Sequence, residues 1–261
     1  MLLEQLIESR KSVRTYNGRA LSPEHRKAIE LSVDQATSPF QGEITLKLIS
    51  VGDSGDFRPS TYGIFRGVRD FLVLGANENS YLKGGYVAEK VILQATGLGL
   101  ATCWIAETFK SDSFVKEANL PFGQALRAVI AIGYPKSESI IGRVMKMFSQ
   151  GGVRKPFGSM FFKKDFQTPL PEDGLFAKEL AMLRLAPSAL NLQPWRALVR
   201  DNQVDFYYTK TKPYVLLDMG IALCHFNLMV EEQNPGGRFV KIENPLQDPT
   251  GAEYLISYIC Q

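Results

Sequence analysis

Cysteine, histidine and tryptophan are scarce in this sequence of 261 residues, which has three Cys, two His and two Trp. Cys103, Cys224 and Cys260 are odd in number, widely spaced and form no CxxC pair. That excludes a disulfide framework and a cysteine zinc site, and it suits the reduced thiols of a cytoplasmic protein. His25 and His225 are too isolated to suggest a metal site or an acid–base pair, so no metal is expected. His225 reads as a satisfied core residue of its helix. No run approaches the roughly 20 apolar residues of a spanning helix. The opening MLLEQLIESRKS, interrupted by Glu4 and Glu8, lacks the apolar core of a signal peptide. Neither sign of charge dominates, since the formal net charge is +3; nucleic acid is not an expected partner, and neither is a membrane. One local imbalance stands out. Residues 139–164 contain no Asp or Glu but hold Arg143, Lys146, Arg154, Lys155, Lys163 and Lys164. A solvated connector accounts for most of these six.

What is present is an ordinary globular composition, 45% hydrophobic and 22% charged, long enough for one large domain or two small ones. Ser22-Pro23-Glu24 starts a helix over 23–35, with Ser as cap and Pro in the first turn. ITLKLISV at 44–51 alternates like a half-buried strand, and DFLVLGA at 70–76 reads as a strand buried on both faces. Between them GDSGDFRPSTYG at 52–63 is loop. A helix follows to about Thr96, broken by Gly97 and Gly99, and then a core strand over 125–134. The second half repeats the order: a helix over about 176–185, paired strands WRALVR and VDFYYT around Asp201 and Asn202, a helix over about 218–232, and a strand YLISYI at 254–259.

Helix, strand, helix, strand thus occurs twice, which points to internal duplication with halves at 1–150 and 151–261. Residues 36–50 lie without a gap on 186–200, matching Ala36, Ser38 and Leu48 to Ala186, Ser188 and Leu198. The same offset sets Arg14 over Lys164 and Tyr16 over Phe166. With a shorter connection allowed, Gly85 falls over Gly220.

Four segments carry chemistry. SRKSVRTY at 9–16 holds Arg10, Lys11, Ser12 and Arg14; on a helical turn Arg10 and Arg14 share a face, and each guanidinium offers a fork of donors to a phosphate. Taken alone, that segment reads better as a solvated helix end. APSALNLQPW at 186–195 combines Pro187, small Ser188 and Ala189, the amides of Asn191 and Gln193, and a Pro-Trp pair. Small residues let backbone approach a flat ring, and amides both donate and accept; a helix end running into a turn accounts for Pro194 and Trp195 alone. GLGLATCWIAE at 97–107 includes Thr102, Cys103, Trp104 and Ile105, with Trp104 otherwise a core residue. RKPFGSM at 154–160 supplies Arg154 and Lys155, cations suited to an anion or to solvent.

On these segments the chain resembles the FMN-dependent nitroreductase family. The resemblance implies an α+β, nitroreductase-like three-layer α/β/α fold, with two similar halves packed as a pseudo-dimer within one chain. It implies FMN as cofactor: Arg10, Lys11, Ser12, Arg154 and Lys155 on the phosphate and ribityl side, Arg14 toward the pyrimidine, backbone of 102–105 near the flavin N5, and Pro187, Ser188, Ala189, Asn191 and Gln193 against the ring. Gly99-Leu100-Ala101 and Ala106 depart from the family's glycine pattern. In family members the counterparts of SRKSVRTY and APSALNLQPW are close in sequence, and the flavin lies between two subunits. Here they are about 175 residues apart, ATSPFQGEIT at 36–45 lacks the second motif's features, and FFKKDF at 161–166 lacks the first's. The implied arrangement is a fused dimer that acts as a monomer, retains one flavin site, and has lost the other, which would pair Lys163 and Lys164 with ATSPFQGEIT. The implied activity is ping-pong electron transfer from NAD(P)H to a small electron-poor acceptor such as a nitroaromatic or quinone, with no catalytic side chain. A flavin binder without turnover and a pseudo-dimer without flavin are the alternatives.

Overall fold

The structure is a computed structural model that describes residues 2–52, 64–105, 111–136, 153–210, 214–233 and 236–260. Most of the loop expected at 52–63, Ala106 and Glu107, Arg143 and Lys146, and the expected boundary at 150 lie outside the described residues. The chain forms two compact units, Met1–Ser149 and Gln150–Gln261. Among the described residues no helix is long and apolar enough to cross a membrane.

The first unit contains helices α1 (Leu3–Ser9), α2 (Pro23–Gln35), α3 (Tyr81–Gly97) and α4 (Ser111–Ala118) and strands β1 (Ile44–Ser50), β2 (Asp70–Ala76), β3 (Ala101–Ile105) and β4 (Ala125–Gly133). Its sheet runs β1-β2-β4-β3, antiparallel throughout. Ser22 caps α2 as expected, its Oγ accepting the His25 N–H at 3.3 Å with Pro23 in the first turn. Helix α3 ends at Gly97, and the chain turns at Gly99, whose φ of +76° suits glycine and lets the Leu100 N–H return to the Ala95 carbonyl. The sheet is covered on both faces. Leu72, Ile130 and Ile132 pack with Ile29 of α2 and Ala88, Val91, Ile92 and Ala95 of α3, while Phe71, Val73, Val129 and Ala131 pack with Phe114 and Ala118 of α4. Side chains alternate across a strand, so two covered faces bury every residue of β2.

The second unit contains β5 (Phe161–Lys163), α5 (Ala177–Arg184), β6 (Trp195–Arg200), β7 (Gln203–Tyr208), α6 (Val215–Gln233), β8 (Arg238–Val240) and β9 (Glu253–Ile259). The short α1, α4, β3, β5 and β8 carried too little periodicity to be placed as elements from the sequence. The sheet order is β5-β6-β7-β9-β8, so β6-β7-β9-β8 repeats β1-β2-β4-β3 strand for strand. Asp201, at φ +48°, turns the β6–β7 hairpin. Phe206 packs edge-on against Phe226 of α6 (4.9 Å), and Tyr258 joins them (5.3 Å). His225 is fully buried with Nδ1 3.1 Å from the Met182 carbonyl, the satisfied core role expected of it.

The repeat is therefore real, but its register is not the gap-free one. Both sheets carry a β-bulge at the corresponding pair: Arg127 is the extra residue of β4 opposite Leu74/Gly75, and Leu255 the extra residue of β9 opposite Phe206/Tyr207. Matching the bulges sets Leu74 on Phe206 and their partners Leu46 on Ala197, one residue beyond the gap-free alignment. A one-residue slip exchanges the faces of a strand. Accordingly Leu48 lies under α2 and α3, whereas Leu198 packs with Tyr207 and Ala252 on the face opposite Phe206. Setting Arg14 over Lys164 and Tyr16 over Phe166 fails as well. Residues around Ser12 bridge β3, while β5 runs parallel to β6, and β3 and β6 correspond to opposite edges of the repeated sheet.

Candidate functional site

In the first unit the helix stops before the arginines. Arg10 follows α1 with extended backbone (φ −60°, ψ 122°), Ser12 forms a parallel bridge to Thr102, and the Val13 N–H donates to the Thr102 carbonyl at 2.9 Å. Arg10 and Arg14 thus share no helical face. They still act on one place, because alternate residues of an extended segment point the same way. The Cys103 thiol is pushed up by burial, opposed by Arg14, a Ser12 hydrogen bond and Arg10. Arg10 is buried, its Nε 3.7 Å from Glu89 Oε1 and without a hydrogen-bond partner, and Glu89 Oε2 accepts the Trp104 indole N–H at 2.8 Å. Lys11 and Arg14 are exposed and Ser12 is half-buried. Thr102, Cys103 and Ile105 are buried in β3, between β4 on one edge and residues 12–13 on the other.

In the second unit two expected segments come together. Arg154 donates to Asn191 Oδ1 and to the Leu185 carbonyl at 2.7 Å each, covering the C-terminal end of α5. Lys155 Nζ reaches the Leu192 and Gln193 carbonyls at 2.6 and 3.2 Å. In return the Asn191 and Gln193 amides bond the Val153 carbonyl, and Gln193 Oε1 accepts the Lys155 N–H at 2.9 Å. Gln193, only 2% exposed, therefore spends its amide on holding the Arg154-Lys155 backbone. Ser188 Oγ accepts the Gln193 N–H at 2.9 Å across a 3₁₀ turn, Ala189–Asn191. Leu190, Asn191 and Gln193 have φ of +51°, +55° and +47°, left-handed values, either side of a right-handed Leu192, that non-glycine residues adopt at a cost of about 1 kcal/mol or more each. Leu190 is 75% exposed. The buried Trp195 has no partner for its indole N–H.

The sequence profile of the family described as "Putative TM nitroreductase" matches residues 2–230. The chain belongs to that family. Among solved structures, one described as a putative nitroreductase from Thermotoga maritima MSB8 superposes with a TM-score of 0.67 at 21% identity, covering 100% of this chain and 94% of that one, which shows the shared fold. An FMN-dependent nitroreductase from Clostridium difficile R20291 (TM-score 0.42, 19% identity) spans 51% of this chain and 88% of its own. A nitroreductase with bound FMN from Desulfitobacterium hafniense DCB-2 (TM-score 0.42, 17% identity) spans 53% and 92%. No protein of curated function matches in sequence.

Four residues of this nitroreductase-family chain escaped the sequence reading. Glu89 holds Arg10, and Asp218 accepts the Ala189 N–H. Arg184 Nε donates to the Lys155 carbonyl at 2.8 Å. Arg196 lies near enough to Lys155 to lower the lysine's pKa, second to burial, while its own is lowered by burial against the pull of Asp248. A signal existed for two of them: Glu89 and Asp218 are lone acids in the apolar runs GYVAEKVIL and VLLDMGIAL. Acids in such runs are rarely buried without a partner or a task.

Proposed function

We propose that this chain is an FMN-dependent oxidoreductase that carries electrons from NAD(P)H to a small electron-poor acceptor such as a nitroaromatic or quinone. The observation that carries the reading is the junction of two expected segments, where Arg154 and Lys155 bond Asn191, Leu192 and Gln193 and Arg196 adds a half-buried cation beside them. A phosphate suits a donor set of ammonium and guanidinium groups. The residues fit FMN in the first unit too, where Arg10 keeps a buried Nε–H without an acceptor. When bound, FMN would supply hydride acceptance and electron delivery.

The chain's own residues then bind and orient. In the second unit, Lys155, Arg196 and Arg154 would neutralise phosphate, Pro187, Ser188, Ala189 and Asn191 would line the ring, and Gln193 would fix the Arg154-Lys155 backbone. In the first unit, Arg10, Lys11, Ser12, Arg14 and the backbone of 102–105 with Trp104 are offered as flavin contacts by the resemblance. No side chain need serve as a nucleophile. One FMN per chain, bound by a monomer, is the expected stoichiometry.

The test is direct. Purified protein should carry, or take up, one equivalent of FMN with an absorbance band in the visible blue, and NAD(P)H should bleach it without oxygen. Arg196→Met should weaken FMN at least tenfold and leave riboflavin, which lacks the phosphate, almost unchanged, whereas Lys155→Met, which also frees the Leu192 and Gln193 carbonyls, should weaken both. A colourless protein that cannot be reconstituted would refute the proposal. Binding without turnover is the second reading, favoured by the enclosure of Thr102, Cys103 and Ile105 within the sheet. A bound flavin that NAD(P)H fails to bleach would select it.

A further inference from the structure

Asp218 stands in the first turn of α6, nearly buried, and both its carboxylate oxygens face one donor, the Ala189 N–H, at 3.0 and 3.2 Å. Among the described residues no cation compensates it. Its pKa is pushed up to about 7 by burial, opposed only by the Ala189 N–H. The charged and titratable groups of the neighbouring elements are engaged elsewhere: Arg154 on Asn191 and Leu185, Lys155 on Leu192 and Gln193, Arg184 on Lys155, and His225 on Met182. Glu179 of α5 is buried and Glu231 of α6 accepts from Asn227; neither shifts Asp218.

A buried carboxylate with a single backbone donor destabilises a fold, so packing alone gives no reason for it. What it holds is the first residue of the 3₁₀ turn whose next two residues are left-handed. A backbone N–H fixed by a carboxylate is a charge-assisted bond, roughly twice as strong as a neutral one. We propose that Asp218 is a positioning residue whose ionised carboxylate holds residues 188–193 in the conformation that receives the cofactor, so that cofactor affinity follows the charge state of Asp218. This rests on the FMN reading above.

The first measurement needs no cofactor. In the wild-type protein, the Ala189 amide resonance should titrate with a midpoint near neutrality, and a flat response from pH 5.5 to 8.5 overturns the proposal. The second is FMN affinity against pH. Wild type should bind about tenfold more tightly at pH 8 than at pH 6 after division by the Asp218→Asn profile, which carries the phosphate's own titration. Uptake of FMN with the same profile in wild type and variant overturns the Asp218 role and leaves the FMN reading standing. No uptake at any pH refutes the FMN reading and the role with it. If Asp218→Asn fails to fold, the Ala189 titration decides the question.

Discussion

The loop before β1 and the loop before β6 occupy the same place in the repeated fold, and they are held in opposite ways. In the first unit, residues 36–43 are filled by their own side chains. Phe40 is buried edge-on against Tyr86 (5.6 Å), and Ser80 Oγ accepts the Glu43 N–H while donating to Asn77. A Cβ on Gly42 would lie 2.5 Å from Ser80 Oγ, so nothing larger than glycine fits there. In the second unit, residues 186–194 leave Leu190 in solvent and keep three left-handed residues in place through bonds to Val153–Lys155 and Asp218. The two loops differ in backbone as well: the first holds no left-handed residue other than glycine, and the second holds three.

The largest effect expected from this contrast is at Glu89, which falls opposite Cys224 when Gly85 is set on Gly220. Glu89→Leu leaves Arg10 buried without its anion and should cost about 3–5 kcal/mol in urea unfolding. The double variant Arg10→Met/Glu89→Leu should recover the part due to the ion pair and keep the cost of the Trp104 indole N–H that loses its acceptor. A double variant no better than the single would mean that the pair supports more than its own charges.

Next in size is Asp218→Asn, and its sign depends on pH. Burial raises the folded-state pKa to about 7, above the ordinary carboxylate value near 4, so the folded chain holds that proton more tightly than the unfolded chain. Stability from this group is therefore complete below about pH 4 and is lost as pH rises toward 7. Asp218→Asn should match wild type at pH 4 and exceed it at pH 8, by on the order of 3 kcal/mol, measured without cofactor. A variant less stable at pH 8 would place the value of Asp218 in folding and remove the contrast between the loops.

Much of this was legible beforehand. The long elements α2, β2, α3, β4, β6, β7 and α6 declared themselves by periodicity, caps and turn residues, and the family resemblance by four short segments. The register of the repeat was not legible, for a physical reason. Asp70-Phe71 and Asp205-Phe206 are the same dipeptide on corresponding strands, yet Asp70 meets Arg26 of α2, whereas Asp205 meets Ser257 on the face away from Phe206. A single extra strand residue exchanges faces without changing composition, so identity counts point to the wrong partner. The helical turn assigned to Arg10 and Arg14 failed similarly, since spacing of four suits a helix face and an extended face equally. Glu89 and Asp218 were missed because their partners are distant in sequence.

That dipeptide offers a third test. Asp205→Asn and Asp70→Asn should each cost about 2 kcal/mol, because each fully buried carboxylate accepts several donors. The partners should differ. In double-mutant cycles Asp205 should couple to Ser257→Ala and Asp70 to Arg26→Met, with no cross-coupling. Coupling of Asp205 to a residue on the helix-covered face in place of Ser257 would put it on the face of Leu72 and count against the slipped register.

The smallest expected effect is at Lys83, which falls opposite Asp218 on the same helix alignment. Its Nζ donates to the Gly42 carbonyl at 2.9 Å, so the first loop is met by a cation on its acceptor where the second is met by an anion on its donor. The two contacts are unequal. Lys83 is partly exposed, and an ammonium that keeps its water gains little from one carbonyl. Phe40 and Ser80 hold that loop without it. Lys83→Met should therefore change stability by no more than about 0.5 kcal/mol at any pH. A Lys83 variant that loosened its loop, read as faster hydrogen exchange at the Glu43 amide, would show that both loops depend on their helix and that the asymmetry lies elsewhere.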